Sequence, residues 1–284
     1  MPTLQETIDP STRTKRITVL ISGSGSNLQA ILDASLTDRL PNAQVTYVLS
    51  SRSNAYGLTR AANARPAVPT SVCALKTFLN RNPGATREDY DAEVARRVLE
   101  SRPDVVVLAG WMHILSDSFL DILEGRKAPP AAPALPPLTG TETSPKHVAA
   151  ADVIPEKELP LPPPTQHFPI PCINLHPALP GAFDGANAIP RAFEAWKNGE
   201  VKCTGVMVHR VIKEVDRGEP LIVREVEIKE GDELADVEAR IHSVEHEIIV
   251  EGTKKVLEEL EAEMKLEGAR QAVEKVAITD DKEA

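Results

Sequence analysis

The sequence predicts an α/β fold: a mainly parallel sheet, helices flanking it, and an antiparallel hairpin near the C-terminus. Three observations carry that expectation. Strand-length apolar runs alternate with stretches of helical periodicity through the first part of the chain. The run "PDVVVLAGW" (103–111) is β-branched and apolar without alternation, as in a strand covered on both faces. Two further strand-like runs, 203–212 and 221–228, are joined by "KEVDRGEP", whose Asp-Arg-Gly centre suits a tight turn.

The elements follow in order. Residues 17–21 form a short buried strand, and from Asn27 onward Leu28, Ile31 and Leu32 share one helix face. Then come "VTYVLSS" (strand), "AYGLTRAANAR" (helix), "PTSVCAL" (strand), "REDYDAEVARRVLES" (helix) and the strand at 103–111. From 127 to 171 the chain is Pro-rich and aperiodic, which predicts an extended or disordered insertion; a PxxP ligand is the rival reading to a passive surface loop. Order resumes at Ile173, with a helix at 188–197, the hairpin, and a long amphipathic helix from Leu234 to about Leu260. The expected organisation is a flexible tail at 1–15, one domain at 16–262 interrupted by the insertion, and a charged, frayed tail at 263–284.

With 284 residues, 42% of them hydrophobic, the chain can bury a sizeable core. Its net charge of -10, with no run of Lys and Arg longer than a pair, argues against a nucleic-acid partner and favours small molecules. Three scattered cysteines, Cys73, Cys172 and Cys203, read as reduced thiols. No apolar run is long enough to span a bilayer, and the N-terminal residues do not resemble a secretory or transit signal. The expectation is a cytoplasmic protein.

Two stretches carry chemistry. "GSGSN" (23–27) lies between a strand and a helix start, where glycines expose backbone N–H groups and the helix end favours an anion. It is either a phosphate seat or a plain turn with Ser26 or Asn27 as N-cap. A dinucleotide site is disfavoured: Leu28 replaces the third glycine, and the second strand ends without an acid. In "CINLHPALPG" (172–181), Asn174 and His176 project to one face of a strand before a loop stiffened by Pro177 and Pro180. An Asp beside such a histidine would raise its pKa and orient its ring; whether Asp216 reaches His176 is open from spacing. "HSVEH" (242–246) matches a zinc-peptidase pattern, against which stands an ordinary pair of helix histidines with no third ligand.

Taken in order, "ITVLISGSGSNLQAIL", "PDVVVLAGWMHILS", "INLHPALPG", "EVDRGEPLI" and "ARIHSVEHEII" resemble the motifs of phosphoribosylglycinamide formyltransferases. These are folate-dependent enzymes of purine synthesis, also called GAR transformylases. The resemblance runs from about Ile17 to Leu260 apart from the insertion, and "NLHPALPGAFDG" is similar to the fungal branch. It implies a Rossmann-like formyltransferase sheet and 10-formyltetrahydrofolate as co-substrate, with no metal. It implies a catalytic trio of Asn174, His176 and Asp216. The glycinamide ribonucleotide would meet Gly25, Ser26 and Asn27 through its phosphate, and His242, Ser243, Val244 and Glu245 elsewhere. The folate would lie against Arg87, Met112, His113, Ile114, Leu115, Asn174, Ile212, Lys213, Glu214, Val215 and Asp216. Asn174 and protonated His176 would donate to the formyl oxygen as charge gathers there. His113 departs from the family, whose members often carry Arg at that place, and this is expected to alter affinity more than reaction type. The chain would act as a monomer or homodimer.

The nearest rival is formyltetrahydrofolate hydrolysis, in which water replaces the amine and neither a phosphate seat nor Glu245 is needed. A methionyl-tRNA formyltransferase would require a tRNA-binding domain and a basic surface. A catalytically inactive folate-binding or scaffold protein would have no need of Asn174, His176 and Asp216 together.

Overall fold

The computed structural model describes residues 13–132 and 158–283, with side chains through residue 270. Within them the chain forms seven strands and seven helices. β1 (Lys15–Ile21), α1 (Ser26–Ala34), β2 (Ala43–Ser50), α2 (Tyr56–Asn63), β3 (Thr70–Val72), α3 (Leu75–Arg81), α4 (Arg87–Glu100), β4 (Val105–Leu108) and α5 (Asp117–Leu123) precede the insertion. β5 (Cys172–His176), α6 (Ala188–Lys197), β6 (Cys203–Arg210), β7 (Pro220–Glu227) and α7 (Leu234–Glu283) follow it. One sheet, in the order β3-β2-β1-β4-β5-β6-β7, is parallel from β3 to β5 and antiparallel from β5 to β7. The expected mixed α/β sheet is the observed one.

The period-two alternation of the strands divides the core. Ile17, Val19, Ile21, Val105 and Val107 point to the face covered by α1 and α7, where they pack with Leu28, Ile31, Ile241 and Ile248. Leu20, Val106, Leu108 and Cys172 point to the other face, against Tyr90, Val94, Val98, Phe119 and Ile122 of α4 and α5. Buried Tyr90 donates its hydroxyl hydrogen to the Cys73 carbonyl at 2.7 Å, so its polar end is satisfied. α4 begins with a capping box: Thr86 Oγ1 accepts from Asp89 N at 3.2 Å, and Asp89 Oδ2 accepts from Thr86 N at 2.7 Å.

Four expectations need correction. The strand expected over "PTSVCAL" is only Thr70–Val72, and its end turns into α3; a short apolar run does not distinguish strand from helix. The segment 211–219 between β6 and β7 is an irregular loop that folds back over the sheet end, with Asp216 in the left-handed region at φ 56. The first strand starts at Lys15, inside the segment expected as a tail at 1–15, of which residues 1–12 lie outside the described residues. α7 continues to Glu283 through the expected tail, because residues 261–277 are rich in Glu, Ala, Lys, Leu and Gln, which are strong helix formers.

Of the Pro-rich insertion, residues 133–157 lie outside the described residues. Residues 158–170 are held on the protein rather than hanging beside it. Pro160 O accepts from Arg16 Nη1, Pro164 O from Arg102 Nη1 at 3.2 Å, and Pro103 O from Gln166 Nε2 at 2.9 Å. Arg16 opens β1, and residues 101–103 lead into β4. These anchors therefore sit at the N-terminal ends of the parallel strands.

Candidate active site

The opposite ends of the same strands build a cleft of about 690 Å³. β1 delivers residues 22–27, β4 delivers 109–115, and β5 delivers Asn174 and His176. β1 lies between β2 and β4, so strand order reverses there, and ligand crevices of parallel sheets open outside the carboxyl ends at such a point. Residues 211–216 of the loop before β7, residues 185–188, His209, His242 and Glu245 complete the walls.

At the centre stands Asp216. His176 Nδ1 lies 3.3 Å from its Oδ2, and Gly185 N donates to the same oxygen at 2.9 Å. Asn174 Nδ2 donates to Oδ1 at 3.2 Å, and His209 Nε2 lies 3.4 Å from Oδ1. Asp216 thus joins Asn174 and His176, the link that spacing alone left open. Its left-handed backbone, which Asp tolerates better than most residues, turns the carboxylate back onto the strand end. Burial alone would raise the Asp216 carboxyl, but His209, the Gly185 amide and His176 together hold it below the usual carboxylate range.

His176 corrects one expectation. Burial pushes its imidazole below the ordinary histidine value; Asp216 pulls upward without prevailing, and His209 adds to the lowering. The resting ring is therefore neutral at pH 7 rather than protonated. Its Nδ1 faces Asp216, which leaves Nε2 as a buried nitrogen with no partner.

The other end of the cleft is built on α1. Gly25 is its N-cap at φ 71, and no side chain caps the helix, so Ser26 and Asn27 occupy the first turn instead of capping it. A Cβ on Gly25 would stand 2.6 Å from the Gly57 Cα, so the turn requires glycine on both conformational and steric grounds. The first-turn N–H groups face a site where a helix end favours negative charge. Asn27 Nδ2 donates to Glu245 Oε2 at 3.3 Å, and Asn27 Oδ1 is buried without a partner. His242 Nδ1 lies 2.9 Å from Glu245 Oε2; that hydrogen bond, against the opposing effect of burial, raises the His242 pKa. Glu245 itself is buried.

The sequence profile of the formyl transferase family matches residues 15–137 and 159–253. The chain belongs to the formyl transferase family. The gap in that match, 138–158, falls inside the Pro-rich insertion. Among curated formyl transferases, the phosphoribosylglycinamide formyltransferase of Schizosaccharomyces pombe is 43% identical, over 85% of this chain and 96% of its own. That of Saccharomyces cerevisiae is 39% identical, over 86% and 98%. The region also matches 17% of the human trifunctional purine biosynthetic protein adenosine-3, at 30% identity over 82% of this chain. Among solved structures, glycinamide ribonucleotide transformylase 1 from Symbiobacterium toebii superposes with a TM-score of 0.62 at 31% identity, covering 86% of this chain and 88% of that one. The resemblance to fungal-type, monofunctional formyltransferases is thereby borne out.

Within this formyl transferase, most of the expected site residues meet in the cleft. Gly25, Ser26, Asn27, Met112, His113, Ile114, Leu115, Asn174, His176, Ile212, Lys213, Glu214, Val215, Asp216, His242 and Glu245 all line it. Ser243 and Val244 do not: on a helix only His242 and Glu245, three apart, share the face turned to the cleft, and Val244 packs against the core. Arg87 does not line it either. It donates to the Ile114 carbonyl at 2.6 Å and pairs with Asp91 at 3.1 Å, supporting residues 112–115. His113 stacks edge-on against Tyr90 and Trp111, and burial lowers its pKa. The sequence reading missed Arg52, Gly185 and above all His209. His209 faces Asn174 in the antiparallel register, and a lone imidazole in the apolar run "GVMVHRV" was its only signal. Among the described residues no group of three or more His, Cys, Asp or Glu side chains is placed to hold a metal ion.

Proposed function

We propose that the chain transfers the formyl group of 10-formyltetrahydrofolate to the amine of N1-(5-phospho-D-ribosyl)glycinamide, in de novo purine synthesis. The observation that carries this reading is the meeting of Asn174, His176 and Asp216 in one cleft, between an uncapped helix N-terminus and an apolar wall. The ribonucleotide phosphate sits at residues 25–27 and its glycinamide part beside Glu245 and His242. The folate lies along residues 112–115 and loop 212–216. Met112 and Ile114 there are each 65% exposed and Ile212 is 42% exposed, apolar surface that a flat heterocycle would cover.

The amine nitrogen attacks the formyl carbon, forming a C–N bond while the carbonyl electron pair moves to oxygen. Asn174 Nδ2 donates to that oxygen. Neutral His176 takes the proton released by the attacking nitrogen at Nε2, and Asp216 at Nδ1 stabilises the imidazolium so formed. Collapse breaks the bond from carbon to folate N10, which receives the proton from His176. The products are the formylated ribonucleotide and tetrahydrofolate. The reaction is placed in the cytoplasm, with small molecules as partners and the chain a monomer or homodimer.

The test is a spectrophotometric assay with 10-formyltetrahydrofolate, with and without the ribonucleotide. Product that depends on the ribonucleotide supports the transferase. Equal product without it means hydrolysis, and no product in either case means a binding protein. His176→Ala with near-normal turnover would rule out the trio.

A further inference from the structure

We propose that Asp91, a buried carboxylate on α4 outside the lining of the cleft, is a positioning residue that sets the folate wall at residues 112–116. The inference rests on the proposed function for the identity of the ligand; the grip on the wall does not depend on it.

Residues 111–116 run from β4 to α5 in neither strand nor helix, so no ladder holds their backbone. Their side chains alternate. Met112 and Ile114 are exposed in the cleft, while His113 packs on Tyr90 and Trp111, and Leu115 is buried in the core. Side chains from other elements supply the backbone's partners. Ser22 Oγ accepts from Met112 N at 2.9 Å, and Arg87 Nη2 donates to the Ile114 carbonyl at 2.6 Å. Asp91 Oδ2 accepts from Ser116 N at 3.0 Å, and its Oδ1 accepts from Arg87 Nε at 3.1 Å. Asp91 therefore acts on the wall twice, directly at its end and through Arg87 at its middle.

Both partners of Asp91 are donors only, so the hydrogen-bond inventory calls for an ionised carboxylate. Its side chain is 0% exposed, and burial raises its pKa against the pull of Arg87 and the Ser116 amide. A charge buried in this way is tolerated only if its partners are fixed, and here fixing the partners fixes the wall. The Arg87 guanidinium carbon stands 5.4 Å from the Tyr90 ring centroid, which confines the fork. Asp117, next after Ser116, pairs with Lys213 at 2.6 Å, so the same end of the wall is registered on the loop that carries Asp216. A wall held like this presents Met112 and Ile114 preformed. A loosened wall must be ordered when the heterocycle binds, which weakens the folate and leaves the phosphate seat at residues 25–27 untouched.

Asp91→Asn isolates the role. An amide has one acceptor oxygen for the two donors, so it must release either Ser116 N or Arg87 Nε. With the full chain, KM for 10-formyltetrahydrofolate is expected to rise about tenfold or more, with the ribonucleotide KM within about twofold and kcat within about threefold. Calorimetric titration with tetrahydrofolate should show the same loss of affinity. In the ligand-free variant, hydrogen exchange should be faster in peptides covering residues 111–117 and unchanged in those covering residues 22–28. An unchanged folate KM, equal rises in both KM values, or parent-like exchange at 111–117 would overturn the proposal. Should Asp91→Asn fail to fold, Arg87→Lys keeps a cation beside Asp91 without the two-pronged fork. Faster exchange at 111–117 in that ligand-free variant, with weaker tetrahydrofolate binding, then supports the grip, and parent-like values for both refute it. A parent protein that binds no tetrahydrofolate and transfers no formyl group would instead refute the proposed function.

Discussion

Replacing Asp216 by Asn tests the charge arrangement with little disturbance of shape. Asn is isosteric and tolerates the left-handed backbone at φ 56, so loop 211–219 should keep its course. What disappears is the negative charge 3.3 Å from His176 Nδ1, on side chains only 5% and 8% exposed. At that separation and an effective dielectric of about 20, two unit charges interact by roughly 5 kcal/mol. Gly185 and Asn174 share the carboxylate, so about half to all of this is lost when His176 becomes charged during turnover. The corresponding fall in kcat is between about 70-fold and about 5000-fold. It is to be read from formyl transfer under saturating substrates, beside Tm and far-UV circular dichroism of both proteins. Because Asp216 is what pulls the His176 pKa upward, the acidic limb of the kcat/KM profile should also move to lower pH in Asp216→Asn. A variant within about tenfold of the parent, with an unmoved limb, would refute the role given to the carboxylate.

Other outcomes follow from the same geometry. In the parent protein, kcat/KM should fall as pH drops through the His176 pKa, with a midpoint below the ordinary histidine value of 6.5, since burial depresses it and the neutral ring is the active form. His176 also contributes stability that is fully present above pH 6.5 and lost as pH falls toward its folded value, because the unfolded chain binds that proton first; urea titrations across this window check the sign. Gly25→Ala sets a side chain at φ 71 and 2.6 Å from Gly57, which should cost about 1–3 kcal/mol of stability and raise KM for the ribonucleotide alone. Glu245→Gln alters the partner of Asn27 and His242 and should likewise raise that KM, leaving the folate KM unchanged. Arg102→Ala releases a carbonyl clamp on residues 163 and 164 and should lower Tm while sparing kcat.

How much of this could be read beforehand depended on whether a residue's role was local. Strand and helix identity followed from periodicity, so β1, β4, α1 and α4 stood out. α3 did not, since seven residues with no buried side chain leave no apolar stripe to detect. Asn174 and His176 were legible because two residues on one strand share a face by covalent geometry. Asp216 and His209 reach the site through a folded-back loop and a strand register, which periodicity does not encode; the family resemblance supplied the first and nothing supplied the second. The direction of the His176 shift was misjudged for a related reason. The partner carboxylate was visible in the chain, but the burial that outweighs it exists only once the sheet is assembled.

The place of residues 158–170, the described end of the Pro-rich insertion, follows from topology. It lies between α5 and β5, and β5 runs parallel to β4. A crossover connection must bring the chain back to the N-terminal edge before a parallel strand can begin. Ile170 N bonds the Leu123 carbonyl at 2.8 Å, which ties the returning segment to the end of α5 at that edge. The cleft opens where β1, β4 and β5 end. The described residues 158–170 therefore lie at the far side of the sheet from Asn174 and His176. Arg16 and Arg102 hold the proline carbonyls there, where the prolines' own missing N–H groups leave the chain without a sheet ladder to join. The described residues 158–170 therefore act on stability through these clamps rather than on turnover.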